Sequence, residues 1–132
     1  MSYREVHLPR ERSLRMLGSA RVSLHDGDCD IAAFMADQAV QLYVKSVVFE
    51  LSGEVPRVHA ARQLMGLLGV LLGREGAVED FVRGNRSLFI RLEEAYIGSR
   101  YLPRVYERDE AEELVKFAEE VMEFVKSLQG EG

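Results

Sequence analysis

The chain reads as an all-α protein, an up-and-down bundle of four main helices plus a short extra helix, on three observations. Apolar residues recur at three- and four-residue steps through most of its length. No segment alternates apolar and polar residues as a half-buried strand does, and glycine, proline and asparagine fall between the periodic stretches. Short connections between successive helices favour antiparallel neighbours.

Each element has its own signal. A first helix is expected from about Arg10 to His25, where Leu14, Leu17, Ala20, Arg21 and Leu24 keep near-helical spacing, and His25-Asp26-Gly27-Asp28 reads as a turn. The longest element runs from Asp28 to Leu51, roughly 36 Å if wholly helical. Its apolar residues Ile31, Phe34, Met35, Leu42, Val47, Val48 and Leu51 cover more than one face, the mark of a central, largely buried helix. Ser52-Gly53-Glu54-Val55-Pro56 ends it. Leu64, Leu67, Leu68, Leu71 and Leu72 stack along a third helix from about Arg57 to Leu72, closed by Gly73. A short piece, roughly Ala77 to Arg83, precedes a break at Gly84-Asn85. Leu88, Ile90, Leu92, Ala95 and Tyr96 then point to a fourth main helix.

The last helix, about Asp109 to Leu128, carries a seam of Ala111, Leu114, Val115, Ala118, Val121, Met122, Val125 and Leu128. Asp109 is placed as its N-cap, with Glu110, Glu112 and Glu113 at the positive end of the dipole and Lys126 in the final turn. Residues 129–132 read as a frayed tail. The whole is expected to be a single domain with its core over about residues 10–128.

Composition narrows the class. A chain of 132 residues, 47% hydrophobic and 30% charged, can bury a core of its own. Its single cysteine cannot form an internal disulfide, and with no signal peptide or long apolar span in the sequence the expected location is cytoplasmic. A net charge of -5 excludes a protein that coats nucleic acid through a dominant positive field. The charge is nonetheless uneven. Arg4, Arg10, Arg12, Arg15 and Arg21 outnumber the acids of the first 26 residues, whereas nine acids and three bases follow from Glu107 onward.

Conventional catalytic motifs are missing: no phosphate-binding glycine loop, no dinucleotide fingerprint, no Gly-x-Ser-x-Gly and no His-Glu-x-x-His. The scattered His7, His25 and His59 give no metal-ligand spacing, so no metal or cofactor is expected. The segment Leu92 to Pro103 is more informative. Tyr96 and Arg100 are four apart and share a helix face, Tyr101 follows, and Pro103 disfavours helical geometry at Leu102. An arginine fork for phosphate and rings that stack on a base are thereby gathered at one helix end, although packing rings beside a dipole-complementing arginine would leave the same trace. On the second helix Gln38 and Lys45 share a face, where the lysine can either meet an anion or extend its stem to solvent. His59, just after Pro56, can help open the third helix.

These residues resemble a known family. Ala32 to Glu50 resembles the "aqQAaEkalKA" helix of HEPN domains, the higher eukaryote and prokaryote nucleotide-binding family. Gly53 and Pro56-Arg57-Val58-His59 are similar to its glycine, proline and "tHdL" entry to the next helix. Leu92 to Pro103 is similar to "Ld..Yi.sRYP", and Asp109-Glu110-Ala111-Glu112-Glu113 to "t.eeA". The resemblance spans about residues 10 to 128.

It implies a small helical bundle, commonly a homodimer, of a prokaryotic kind often paired with a minimal nucleotidyltransferase as toxin and antitoxin. Many members are metal-independent ribonucleases with an Arg, four to six residues, then His. Here Arg100 stands at the expected region, but Val105, Tyr106 and Glu107 occupy the three positions open to that His. Valine cannot take a proton and tyrosine is a poor base at neutral pH. Further departures are Leu102 before the proline, Gln41 where the family favours Glu, and Ala60 where it favours Asp. The expected function is therefore binding of a nucleotide or RNA beside a nucleotidyltransferase partner, through Tyr96, Arg100, Tyr101, Lys45 and His59. A degenerate metal-independent ribonuclease toxin with an altered base, His59 being the fallback, and a non-catalytic dimerisation scaffold are the alternatives.

Overall fold

The structure, a computed structural model, describes residues 2–101 and 105–130, without the side chains of 97–101. The described residues form six helices and no strands. These are α1 (Tyr3–His25), α2 (Cys29–Ser52), α3 (Ala61–Leu72), α4 (Glu75–Gly84), α5 (Arg86–Tyr101) and α6 (Arg108–Gly130).

Helix α1 begins a full two turns before the position expected from periodicity. Ser2 and Glu5 form a capping box, with Glu5 N donating to Ser2 Oγ at 3.1 Å and Ser2 N donating to Glu5 Oε1 at 3.0 Å. Pro9 lies inside the helix, where its missing N–H removes one backbone bond without ending the element. Val6, Ser13, Leu17 and Ala20 mark the buried stripe. After the turn at residues 26–28 the chain doubles back, and Arg10 reaches the far end of α2. Its guanidinium donates to Glu50 Oε1 at 2.7 Å and to Ser46 Oγ at 3.3 Å.

Helix α2 is the hub, packed against α1, α3, α5 and α6. Ala32, Ala33, Ala36 and Ala39 are fully buried in its first half, where the lack of longer side chains lets neighbours approach closely. Val40, Val44, Val47 and Val48 fill the space beyond. The four neighbours account for the apolar character of all its faces, so that character gives no support to a second copy of the chain. Gly53 terminates the helix in the left-handed region at φ 81°, its N–H donating to the Phe49 carbonyl at 2.8 Å. Gly73, at φ 66°, closes α3 in the same way.

Three expectations shift. The third helix starts at Ala61, not Arg57, so His59 belongs to the connection between α2 and α3. The last helix starts at Arg108, so Asp109 is in its first turn and is not the cap. Glu107 N instead donates to Glu110 Oε1 at 3.0 Å, and Ala111 N bonds the Glu107 carbonyl. Between α2 and α5 stand two short helices, α3 and α4, which pack on one another with Gly69 against Val78; a Cβ there would come within 3.2 Å of the valine.

The long helices alternate in direction along the chain, yet they do not form a simple square. Tyr106 N, just before α6, donates to Asp30 Oδ1 near the start of α2 at 2.8 Å, and Gln129 near the end of α6 reaches Glu50 near the end of α2. Helices α2 and α6 therefore lie side by side in parallel, with α1 and α5 antiparallel to α6. Arg21–Glu119 and Arg91–Glu113 fasten those two pairs. The α6 seam is buried as its spacing predicts. Phe117 meets Phe89 edge-on at 4.9 Å, and Phe81 stacks on Phe124 at 4.0 Å. Among the described residues no helix is long and apolar enough to cross a membrane.

Candidate functional site

The sequence-predicted residues Lys45, His59 and Tyr96 converge. Lys45 is contributed by α2, His59 by the connection that follows, and Tyr96 by α5. Gly53 ends α2 in the left-handed region, and the connection that follows brings His59 back beside Lys45. Lys45 Nζ lies 2.8 Å from His59 Nδ1. With the ammonium as donor, His59 Nδ1 is the acceptor. The His59 and Tyr96 rings are parallel to within 8°, their centroids 6.1 Å apart. The connection exposes His59, whereas Lys45 and Tyr96 are half-buried. Partial burial lowers the Lys45 pKa, and the nearby Asp37 charge opposes that effect.

His59 and Tyr96 line a cavity of about 250 Å³ together with Asp37, Gln41, Ala60 and Glu93. Asp37 is 1% exposed. Gln41 Nε2 donates to its Oδ2 at 2.6 Å, whereas Oδ1 and the neighbouring Gln38 Nε2 are buried with no hydrogen-bond partner. Burial pushes the Asp37 carboxyl up to about 7; the Glu93 charge adds to the rise, while the Gln41 bond, the nearby Gln38 amide, too far for a well-formed hydrogen bond, and the Lys45 charge oppose it. The group thus titrates near neutrality and can present either an O–H or a second acceptor.

Glu93 is held from the other side. Arg62 grips it with two bonds, Nε to Oε2 at 2.8 Å and Nη2 to Oε1 at 2.9 Å. The Arg62 backbone N–H donates to the same Oε2 at 3.0 Å. A carboxylate on α5 thereby does for the start of α3 what the N-cap residue Ala60, with no side-chain oxygen, cannot. The bidentate pair also neutralises one of the two acids in the cavity wall, which reduces its repulsion of an anion.

Sequence reasoning missed Asp37, Gln41, Glu93 and Arg62. The signal was present for two of them. Asp37, Gln41 and Lys45 recur every four residues on a largely apolar helix, so the polar stripe passes through 37 and 41 and not through Gln38. No local pattern announces the Arg62–Glu93 pair, whose members are 31 residues apart.

Arg100 and Tyr101 are the final residues of α5, one turn beyond Tyr96, and their side chains lie outside the described residues. Tyr106, one of the three positions open to a histidine after Arg100, is 3% exposed in the core and lines a different depression with Asp28, Cys29 and Asp30. It is not part of this cavity wall. Among the described residues no group of His, Cys, Asp and Glu is arranged to hold a metal ion.

Comparison with protein families matches the HEPN domain over residues 7–128. Neither the curated proteins nor the solved structures give a match.

Proposed function

The chain belongs to the HEPN domain family, and from that premise we propose that the cavity between α2, α5 and the α2–α3 connection binds a nucleotide, free or within RNA. The observation that carries this reading is the parallel His59–Tyr96 pair with Lys45 Nζ against the imidazole. Aromatic faces hold a base by stacking, and an ammonium beside them takes the phosphate. Asp37 and Gln41, at the wall, supply a carboxyl and an amide suited to the hydrogen-bonding edge of a base. Arg100 and Tyr101, whose side chains lie outside the described residues, join the proposal on residue chemistry alone, since a guanidinium suits a phosphate and a tyrosine ring suits a base.

Binding without turnover is favoured over cleavage, because no histidine stands at the expected distance after Arg100. The ribonuclease alternative keeps one supporting observation: His59 is exposed at the mouth of the site and is the imidazole lining it. A homodimer and a minimal nucleotidyltransferase partner complete the proposal on family grounds alone.

Calorimetric titration of a mononucleotide panel into wild type, His59→Ala and Arg100→Ala tests the site. Loss of about 1–3 kcal/mol in each variant, with unchanged circular dichroism, is expected for a lost charge-assisted or stacking contact. Equal affinities in equally folded samples would return these residues to packing.

A further inference from the structure

A second cavity lies on the other side of Lys45. The groove between the first turns of α1 and the last turns of α2 has a volume of about 380 Å³. Leu8, Pro9, Leu42, Phe49 and Val55 supply its apolar surface, and Val55 is 63% exposed. Arg4, Arg12 and Lys45 supply three cations. The two arginines are exposed and make no ion pair among the described residues. The one acid of the lining, Glu5, is tied to Ser2 in the capping box.

We infer that this groove is the subsite for a second nucleotide, so that the ligand of the protein is an oligonucleotide threaded past Lys45 and not a mononucleotide. The inference rests on the nucleotide-binding reading above and adds a site to it. Lys45 is the link: it lines the groove, and its Nζ touches the histidine that lines the first cavity. Gln41, Lys45 and Phe49 follow one another every four residues along α2. Each step advances about 6 Å along the axis, comparable to the distance from a base to its own phosphate. A base in the first cavity, its phosphate at Lys45 and a second base on the Phe49 ring therefore fall in register. The ring and aliphatic floor accept any base face, and the Arg4 and Arg12 guanidinium groups are placed for the next phosphate. An apolar floor with a cationic rim suits this alternation of flat ring and anion.

Titration of adenosine and uridine 5′-monophosphates, and of 5′-phosphorylated di- and tetranucleotides of the same bases, tests it in wild type and in the Arg4→Ala/Arg12→Ala double variant. Both arginines are exposed, so the fold is expected to survive. The dinucleotide should bind wild type about tenfold or more tightly than the monophosphate, the gain from one additional charge-assisted contact with stacking. Its affinity should also fall more steeply with salt, by about 0.7 in log–log slope per added phosphate contact. The double variant should lose that gain and that slope while keeping its monophosphate affinity. Monophosphate binding with no gain from length, or a gain that survives the double variant, overturns the second subsite and leaves the first standing. Absence of binding by every nucleotide overturns the nucleotide reading itself. Dodecanoate binding that depends on Arg4 and Arg12, with no dinucleotide gain, would assign the groove to amphipathic anions and equally overturn the inference.

Discussion

The Asp37 carboxyl offers a measurement of the site that needs no ligand. Its side chain is buried at 1% exposure beside Gln41, with Glu93 and Lys45 as the nearby charges, and its pKa is raised from 3.8 to about 7. Between those values the folded chain holds a proton that the unfolded chain has released. Stability contributed by this group is therefore fully present below pH 3.8 and is lost as pH rises through about 7. The loss is about 1.4 kcal/mol per pH unit, hence about 4 kcal/mol over the whole window. Asp37→Asn keeps the shape and can still pair with Gln41 but cannot ionise. Urea unfolding of both proteins at intervals from pH 4 to pH 9 isolates the group, since the other titrations are common to the two. The variant should gain about 4 kcal/mol on wild type between pH 4 and pH 7.5 and nothing further above that. A difference constant to within about 1 kcal/mol across the range would mean that the carboxyl is solvated, and the closed cavity wall would be refuted with it.

Other consequences follow from the packing. Leu114→Asp or Val121→Asp, at 1% and 0% exposure in the α6 seam, should cost more than about 3 kcal/mol by burying an unpaired carboxylate; unchanged melting of both variants would contradict the seam. Arg62→Ala and Glu93→Gln should each destabilise by about 1–3 kcal/mol, and a double-mutant cycle should return a coupling of about 1–2 kcal/mol; a cycle that sums to zero would show the bidentate pair to be energetically idle. Metal-free incubation with single-stranded RNA should give feeble cleavage or none. Robust cleavage abolished by His59→Ala, with folding intact, would promote the ribonuclease alternative. Sedimentation equilibrium at micromolar concentration should give twice the 15.0 kDa chain mass, and a clean monomer would remove the dimer proposal.

Periodicity carried the helices well because burial is local in its sequence signature. The α6 seam, the all-round apolar α2 and the glycine stops at Gly53 and Gly73 are each written within a single segment. Boundaries failed where a capping interaction overrode hydrophobic spacing. The first turns of α1 hold only Val6 and Leu8 as aliphatic residues and contain a proline, yet the Ser2–Glu5 box suffices to start the helix there. The start of α3 was misplaced for the opposite reason. Pro56 reads as a helix opener, but the first-turn N–H of Arg62 in α3 is met by Glu93, which is distant in sequence.

The site divides along the same line. Lys45, His59 and Tyr96 could be chosen from residue chemistry, since a lysine on an apolar helix and an aromatic at a helix end are conspicuous wherever they fold. What makes them a site is the α2 stripe Asp37-Gln41-Lys45 meeting α5 across the hub. A stripe of period four stands out in sequence only once it is known which face of α2 borders a cavity. Every face of α2 carries apolar residues, so its hydrophobic pattern could not single out that face. The coverage by α1, α3, α5 and α6 does so, and it leaves two cavities along one strip of the helix, the first lined by the buried Asp37 and Gln41 and the second by the half-buried Lys45 and Phe49. That strip joins the neutralised, partly protonated cavity to the cationic groove, and its polarity changes along its length from carboxyl and amide to ammonium to aromatic ring. On the proposed reading a mononucleotide would use only the first part of such a strip, and the full sequence of chemistries would suit a ligand that repeats base and phosphate.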